Sequence, residues 1–356
     1  MNPQTIKVTF ICALVIEIIL GGNAIGQTAT DVSVIRPVFT SSSSHHHYRN
    51  PVVDFDFPDP NLVLAKDGYI YAYSTQATYN RPGMQGLHLL PILRTKDLVH
   101  WDYAGDVFKT KPTWKQPGGL WAPDVSFFKD RYLLYYSCSV WGDPNPGIGV
   151  AWSQQPQGPF TDEGKLFLSK EIGVDNSIDP VFYLDKDQPY LFWGSFRGIF
   201  GVALSPNGFK TAGEKFQIAG NSFEGSFIFK RGRYYYYFGS KGTCCEGLKS
   251  TYRIVVGRAD SLRGPYVDHE GKRLLDNGGS LVIQKNADST GFTGPGHNGD
   301  LIVDQKGDTW FIYHAYKDKE PSKGRVMLMD KLLWKDNWPQ VKNFQPSTKR
   351  QRGPVL

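Results

Sequence analysis

From residue 51 onward, apolar and polar positions alternate in short runs, and the runs recur in pairs. One member of each pair is an aromatic-rich strand ending near a small residue: Tyr69-Ile-Tyr-Ala-Tyr-Ser74, Tyr132-Leu-Leu-Tyr-Tyr-Ser137, Tyr190-Leu-Phe-Trp-Gly-Ser195, Tyr235-Tyr-Tyr-Phe-Gly-Ser240 and Trp310-Phe-Ile-Tyr-His-Ala315. The other member precedes it by roughly ten residues and starts on a polar or small residue: Asp59-Pro-Asn-Leu-Val63, Ala122-Pro-Asp-Val125, Asp179-Pro-Val-Phe182, Glu224-Gly-Ser-Phe227 and His297-Asn-Gly-Asp-Leu301. Turn residues such as Lys66-Asp-Gly68 and Lys129-Asp-Arg131 join the two members into a hairpin. Further strands follow, for example Gly147-Ile-Gly-Val-Ala-Trp152 and Ile254-Val-Val-Gly-Arg258, each trailed by a Gly-Pro turn at Gly158-Pro159 or Gly264-Pro265. Successive copies lie about 45 to 75 residues apart, a spacing typical of propellers and arrays. No capped helical periodicity is visible after residue 50. The pattern predicts an all-β fold, a five-bladed β-propeller spanning 51–345, because radial closure protects sheet edges.

The flanks read differently. Residues 1–26 have the form of an export signal: Lys7, an apolar run from Val8 to Gly21, and small residues Ala24 to Gly26 before Gln27. The run is too short to span a bilayer, which takes about 20 residues. Secretion, or delivery to a periplasm, is the expectation, with no membrane anchor. Residues 27–50, with Ser41 to Ser44 and His45 to His47, read as a flexible linker. Residues 346–356 read as a basic tail.

Composition adds two constraints. The chain has 356 residues with 19 Tyr, 22 Phe and 9 Trp, which suits many short strands and a sugar-binding surface. The net charge of +6 is mild and the basic residues are scattered, apart from Lys349, Arg350 and Arg352, so a nucleic-acid footprint is not expected. Cys138, Cys244 and Cys245 remain after the signal. They form no zinc pattern, and adjacent Cys244 and Cys245 are expected not to pair because the ring they would close is strained.

In a propeller the first polar residue of each unit faces one funnel mouth. Three of the five units place a carboxylate there: Asp59, Asp179 and Glu224. Singly, an Asp before Pro is a turn residue. Repeated at equivalent positions, the three make an acidic pocket in which one pKa must rise. Glycoside hydrolysis needs such a set, with one carboxyl protonated for the leaving oxygen and one ionised for water.

An ordered series of motifs extends this reading: Phe57-Pro-Asp-Pro60, Leu120-Trp-Ala-Pro-Asp124, Asn176-Ser-Ile-Asp-Pro180, Trp193-Gly-Ser-Phe196, Glu224-Gly-Ser-Phe227, Cys244-Cys245, Gly294-Pro-Gly-His-Asn298 and Trp334. With these the chain resembles glycoside hydrolase family 43, especially its arabinanases, over about residues 51–340. The resemblance implies an inverting enzyme with Asp59 as general base, Glu224 as general acid and Asp179 as the carboxylate that tunes the acid. It also implies substrate contacts at Trp121, Asn176, Ser195 and Phe196. His297 is implied to hold a calcium or similar ion on the propeller axis, mostly through water. The chain departs from the family pattern in two places. Gly-Ser follows Glu224 where Ala-Pro or Gly-Pro is common, and Glu246 follows the cysteine pair where a basic residue is common.

The expected substrate is plant cell-wall arabinan and its oligosaccharides, cut internally at α-1,5 linkages by a monomer. An exo-acting arabinofuranosidase or β-xylosidase is the alternative with the same chemistry. A propeller that binds glycans without cutting them is the alternative of another class.

Overall fold

Four-stranded antiparallel sheets repeat around an axis in the computed structural model, which describes residues 34–35 and 47–356. Blade 1 runs Asn61–Leu64, Ile70–Tyr73, Met84–Thr95, Asp102–Phe108, with Ala77–Arg81 added as an arm on its third strand. Blade 2 runs Gly119–Phe128, Arg131–Ser139, Gly147–Ser153, Thr161–Leu168. Blade 3 is Val181–Asp185, Gln188–Trp193, Ile199–Leu204, Thr211–Ala219. Blade 4 is Glu224–Arg231, Tyr234–Lys241, Arg253–Ala259, Ser280–Ile283. Blade 5 is Leu301–Val303, Thr309–Lys317, Arg325–Lys335, Trp338–Val341, joined by Phe292–Gly296 and, in parallel with its innermost strand, by Val34–Ile35. The chain is a five-bladed β-propeller. Ser169–Ile172 is the one α-helix among the described residues. The region read as an export signal lies outside them.

The local chemistry explains the hairpins. Lys129 and Asp130 close blade 2's first hairpin with positive φ at both central residues, 48° and 61°, and the register pairs Phe128 with Arg131. That is the turn whose twist matches paired strands. The second strands carry tyrosine because the phenol buries a ring and still delivers a polar tip to the next blade. Tyr73 in blade 1 donates to the carbonyl of Pro156 (2.6 Å) in blade 2. Tyr135 in blade 2 donates to Gly208 (2.7 Å) in blade 3, and Tyr236 in blade 4 to Asn337 (2.8 Å) in blade 5. Apolar clusters fill the gaps between blades, with ring contacts such as Tyr135 on Phe182 and Phe229 on Trp334.

In blades 1 to 4 the innermost strands are sheet edges that line the channel, and side chains complete their hydrogen bonding. Asp300 accepts the backbone N–H of Leu62 (2.7 Å), Asn61 that of Val125 (2.7 Å), and Asp124 that of Phe182 (2.9 Å). These bonds tie blade 5 to blade 1, blade 1 to blade 2, and blade 2 to blade 3.

The four strands of every blade come from one contiguous stretch, so blade 5 meets blade 1 with no chain passing directly from one to the other. The segment leading into blade 1 lies along blade 5. Val52 and Val53 donate to Met327, Phe57 donates to Arg325, and Met327 donates back to Val53. Buried Asn50 donates through its amide to Met329 (2.9 Å), Asp330 (3.1 Å) and Ser347 (3.1 Å), and accepts from Met329 N–H (2.9 Å).

The flank boundaries expected from sequence shift here. Residues 47–50 belong to the fold rather than to a linker ending at 50: His47–Tyr48 pairs with Gln351–Arg352, and buried Tyr48 packs edge-on against Trp310. Residues 346–356 are likewise built in and not a free tail. Ser347 N–H donates to Asp330, Val355 N–H to Asp304, and Gly353 and Pro354 are buried. A two-residue strand flanked by charged residues has no periodicity to reveal it.

Asn50→Ala should lower stability by roughly 2 kcal/mol, since it strands the Met329 N–H and removes the amide from a buried network. Urea unfolding of the variant against the parent measures this, and an unchanged midpoint would mean that the amide does not hold the ring closed.

Candidate active site

The residue that opens each blade's innermost strand has a left-handed backbone: Asp59 (φ 54°), Ala122 (43°), Asp179 (57°), Gly225 (57°) and His297 (43°). Four of these are not glycine, and such strain concentrates at functional sites. Each kink leaves a buried N–H that needs a partner, and in four blades the end of the preceding blade's second strand supplies it. Asp59 N–H donates to His314 Nδ1 (3.0 Å), Ala122 to Thr75 Oγ1 (2.8 Å), Asp179 to Ser137 Oγ (2.9 Å) and His297 to Ser240 Oγ (2.8 Å). Blade 4 breaks the rule. Gly225 N–H donates to the Asp179 carboxylate (3.1 Å), and the hydroxyl of Ser195 is given instead to Glu224 (2.7 Å).

The three acids expected from sequence therefore converge, each less than a tenth exposed. Asp59 accepts from Thr75 Oγ1 (2.6 Å) and from Arg325 (3.0 Å), with His297 Nδ1 at 3.2 Å and His314 Nδ1 at 3.3 Å. Burial pushes its carboxyl up, but Arg325 and His297 outweigh burial and hold it well below the usual range. Glu224 moves the other way: burial raises it against the hydrogen bonds of Ser195 and Tyr252. Burial likewise pushes Asp179 up to about 7, with the negative charge of Glu224 adding to the shift and His297 opposing it. The site thus holds one carboxyl kept ionised, Asp59, beside two, Asp179 and Glu224, whose hold on a proton is strengthened.

The histidines differ as well. Burial lowers His297, but Asp59 raises it more, to about 9, so it is a cation among the acids. His314 is held well below its usual range by burial and by Arg325, and its Nδ1 accepts the Asp59 N–H, so the ring is neutral. Two glycines make room. A Cβ on Gly225 would meet His297 Cγ at 2.9 Å, and one on Gly296 would meet Tyr252 Cδ1 at 1.8 Å.

The expected binding residues fall into two groups. Trp121 is half-buried and lies 6.0 Å from Trp141, itself 80% exposed, so both indoles are available to a ligand rather than locked in the core. Phe196 is half-buried with φ 51°, and half-buried Asn176 (φ 52°) donates to the carbonyl of Ser195 (2.9 Å). Ser195 is 1% exposed and spent on Glu224, so it positions that carboxyl instead of facing the opening. Cys244 and Cys245 are joined in a disulfide, contrary to the expectation that they stay apart. The left-handed backbone at Cys245 (φ 63°) turns its side chain toward its neighbour. Buried Cys138 is the free thiol among the described residues, and burial pushes it up to about 11.

Arg325, His314, Tyr252 and Thr75 are site residues that sequence reasoning missed. The signal for His314 and Thr75 was present, since every second strand ends on Ser, Thr or His. Arg325 had none beyond its place at the head of an apolar strand.

Comparison with known proteins agrees with this geometry. Residues 48–339 match the family model for Glycosyl hydrolases family 43. The chain is 31% identical, over 79% of its length and 86% of the relative's, to the extracellular endo-alpha-(1->5)-L-arabinanase 1 of Bacillus subtilis (strain 168). It is 32% identical to the extracellular exo-alpha-(1->5)-L-arabinofuranosidase ArbA of Cellvibrio japonicus, over 80% of this chain and 86% of that one. Among solved structures, the Cellvibrio cellulosa alpha-L-arabinanase complexed with arabinohexaose superposes with a TM-score of 0.70 at 31% identity, covering 82% of this chain and 96% of that one. The endo-arabinanase of Bacillus licheniformis superposes at 0.69 with 29% identity, covering 81% and 97%.

In protein freed of metal ions by chelation, the His297 ring should titrate at about 9. In Asp59→Asn it should fall toward the ordinary value near 6.5, because the carboxylate that favours its charged form is gone. Ring-proton NMR across pH reads this directly, and a ring that titrates alike in both proteins would break the Asp59–His297 linkage.

Proposed function

The chain belongs to glycosyl hydrolase family 43 and is a glycosidase, and from this we propose that it cleaves α-1,5-linked L-arabinan within the chain, with inversion. The observation that carries the chemistry is the opposite displacement of two buried carboxyls: Asp59 pushed well below the usual range by Arg325 and His297, Glu224 pushed up by burial. The substrate reading rests on the relatives, named as arabinan-active enzymes, and on the accessible aromatic pair Trp121 and Trp141, the first of them next to Ala122, whose N–H is held by Thr75. The endo reading follows the B. subtilis and B. licheniformis relatives. The exo-acting C. japonicus relative keeps trimming from a chain end as the second reading.

In the proposed reaction Glu224 gives its proton to the glycosidic oxygen as that bond breaks. Asp59 takes a proton from the water that attacks the opposite face of the sugar. Arg325, Thr75 and the Asp59 N–H bond to His314 fix the base, while Ser195 and Tyr252 fix the acid. Asp179, in its ionised form, raises the acid's pKa by adding negative charge beside it. An inverting pair needs room for water, with carboxyls roughly 6.5–9.5 Å apart.

We place a calcium ion at His297 in the same reading. The ring's Nδ1 faces Asp59, so Nε2 is left for a cation, which would bind the neutral ring and displace its second proton. Among the described residues no group of three His, Cys, Asp or Glu is arranged as a cage. Buried Asn298 Oδ1, which has no hydrogen-bond partner, is the one spare oxygen beside it in sequence. This donor set suits a shell made mostly of water, since calcium takes six to eight oxygens. The ion would supply positive charge that offsets the carboxylates. We also read the chain as secreted, in keeping with its extracellular relatives, and as a monomer. No helix among the described residues is long and apolar enough to cross a membrane.

Glu224→Ala should lower arabinan cleavage by ~100–10,000-fold while sparing substrates with a good leaving group. Asp59→Ala should spare neither and should be partly rescued by azide. Asp179→Asn removes a negative neighbour, so Glu224 loses its proton at lower pH and the alkaline limb of the rate profile should move down. A limb that stays or rises sinks the tuning role, and separation of the products from linear arabinan decides endo from exo.

Chelation followed by gel filtration should lower both activity and melting temperature, and calcium should restore them. Elemental analysis that finds no metal in an active preparation counts against the ion.

A further inference from the structure

A second groove, about 750 Å³ in volume, lies on blade 5 at the strand ends opposite those that reach Asp59. Lys331 lines it, six residues and roughly 20 Å along the strand from Arg325. The turn after Leu301–Val303, the end of Arg325–Lys335 and the built-in C-terminal segment form its walls. Its charge is uneven. Asp304 is buried and accepts N–H groups of Lys306, Asp308, Val355 and the Trp310 indole. Asp330 is buried under Tyr313, Asn50 and Ser347, and Asp308 pairs with Lys331. Those three acids are therefore engaged, and a fourth, Asp288, stands exposed at the groove with Thr290 as its hydrogen-bond partner, against four free cations. Lys306, Lys342, Lys349 and Arg352 are exposed, line the same groove and join no ion pair among the described residues. Two of the three basic residues that stand out at the end of the sequence are thus gathered with two distant lysines.

We propose that this groove binds a carboxylate-bearing polysaccharide, a chain of uronic acids, apart from the active site. Four cations along one open groove match charges repeated along a polymer better than a single small anion. Asn343 adds an exposed amide for hydroxyls, and Leu333, 40% exposed, adds an apolar patch for a sugar face. The aromatic residues of the groove, Tyr48 and Trp310, are 4% and 3% exposed, so it lacks the stacking surface with which proteins hold single-stranded nucleic acid. The proposal does not rest on which neutral glycan the active site cuts.

Calorimetry with oligogalacturonides tests it, using the full protein at low and moderate salt. Binding should be salt-sensitive and should weaken about tenfold or more in Lys306→Ala/Lys342→Ala/Arg352→Ala, three exposed changes that remove three charge contacts. Hydrolysis of soluble arabinan and the melting temperature should be the same in parent and variant, and neutral arabino-oligosaccharides should not compete. The proposal is overturned if the parent does not bind oligogalacturonides, if the triple variant binds them equally, or if a DNA oligomer binds the groove as tightly with the same loss in the variant.

Discussion

In blades 1 to 4 the innermost strands are sheet edges turned toward a narrow channel, and their backbone N–H groups must be satisfied without a neighbouring strand. Leaving one buried and unpaired costs on the order of 1–3 kcal/mol. This chain meets the demand in two tiers. Deeper in the channel, Asp300, Asn61 and Asp124 reach the N–H groups of the next blade. At the mouth, the kinked residues are held by His314, Thr75, Ser137 and Ser240 from the blade before. Polar side chains are thereby drawn into the middle of an apolar fold for structural reasons, and catalysis has that material to work with.

Function arises where the tiers lose their symmetry. Blade 4 shifts its left-handed residue by one position onto Gly225, which frees Ser195 to bond the Glu224 carboxylate rather than a backbone N–H. Blade 5 offers an imidazole where the others offer hydroxyls. That neutral ring can sit beside a carboxylate and a guanidinium without adding charge. The same five-fold plan thus yields one carboxyl beside two cations and another beside neutral donors, and their pKa values part accordingly.

The ring, the number of blades and the three acids were legible because each repeats, and repetition turns a weak turn signal into a position. The seam was not legible. Tyr48 and Asn50 follow a run of serine and histidine, and nothing in local periodicity marks Tyr48 as the partner of Trp310. Arg325 was hidden for the same reason, since it comes from a third strand, outside the repeated hairpin from which the acids were read. The bonded Cys244 and Cys245 were read against the average behaviour of adjacent cysteines, which the backbone at Cys245 overrides. Ser195 was placed in the right neighbourhood, but its bond to Glu224 was not foreseen, because a motif locates a residue and does not say where its hydroxyl goes.

The position of the seam has a consequence for how this protein wears out. Asp59 stands on one bank, and Arg325, His314 and His297 all stand on the other. Any breathing of the ring where blade 5 meets blade 1 pulls the base away from Arg325 and both histidines and leaves it only Thr75 of its own blade, while Asp179, Glu224 and the blades that carry them stay together. Local opening of this kind needs less free energy than global unfolding. Warmed or aged preparations should therefore fall silent while still looking folded, and turnover becomes a gauge of whether the circle is shut.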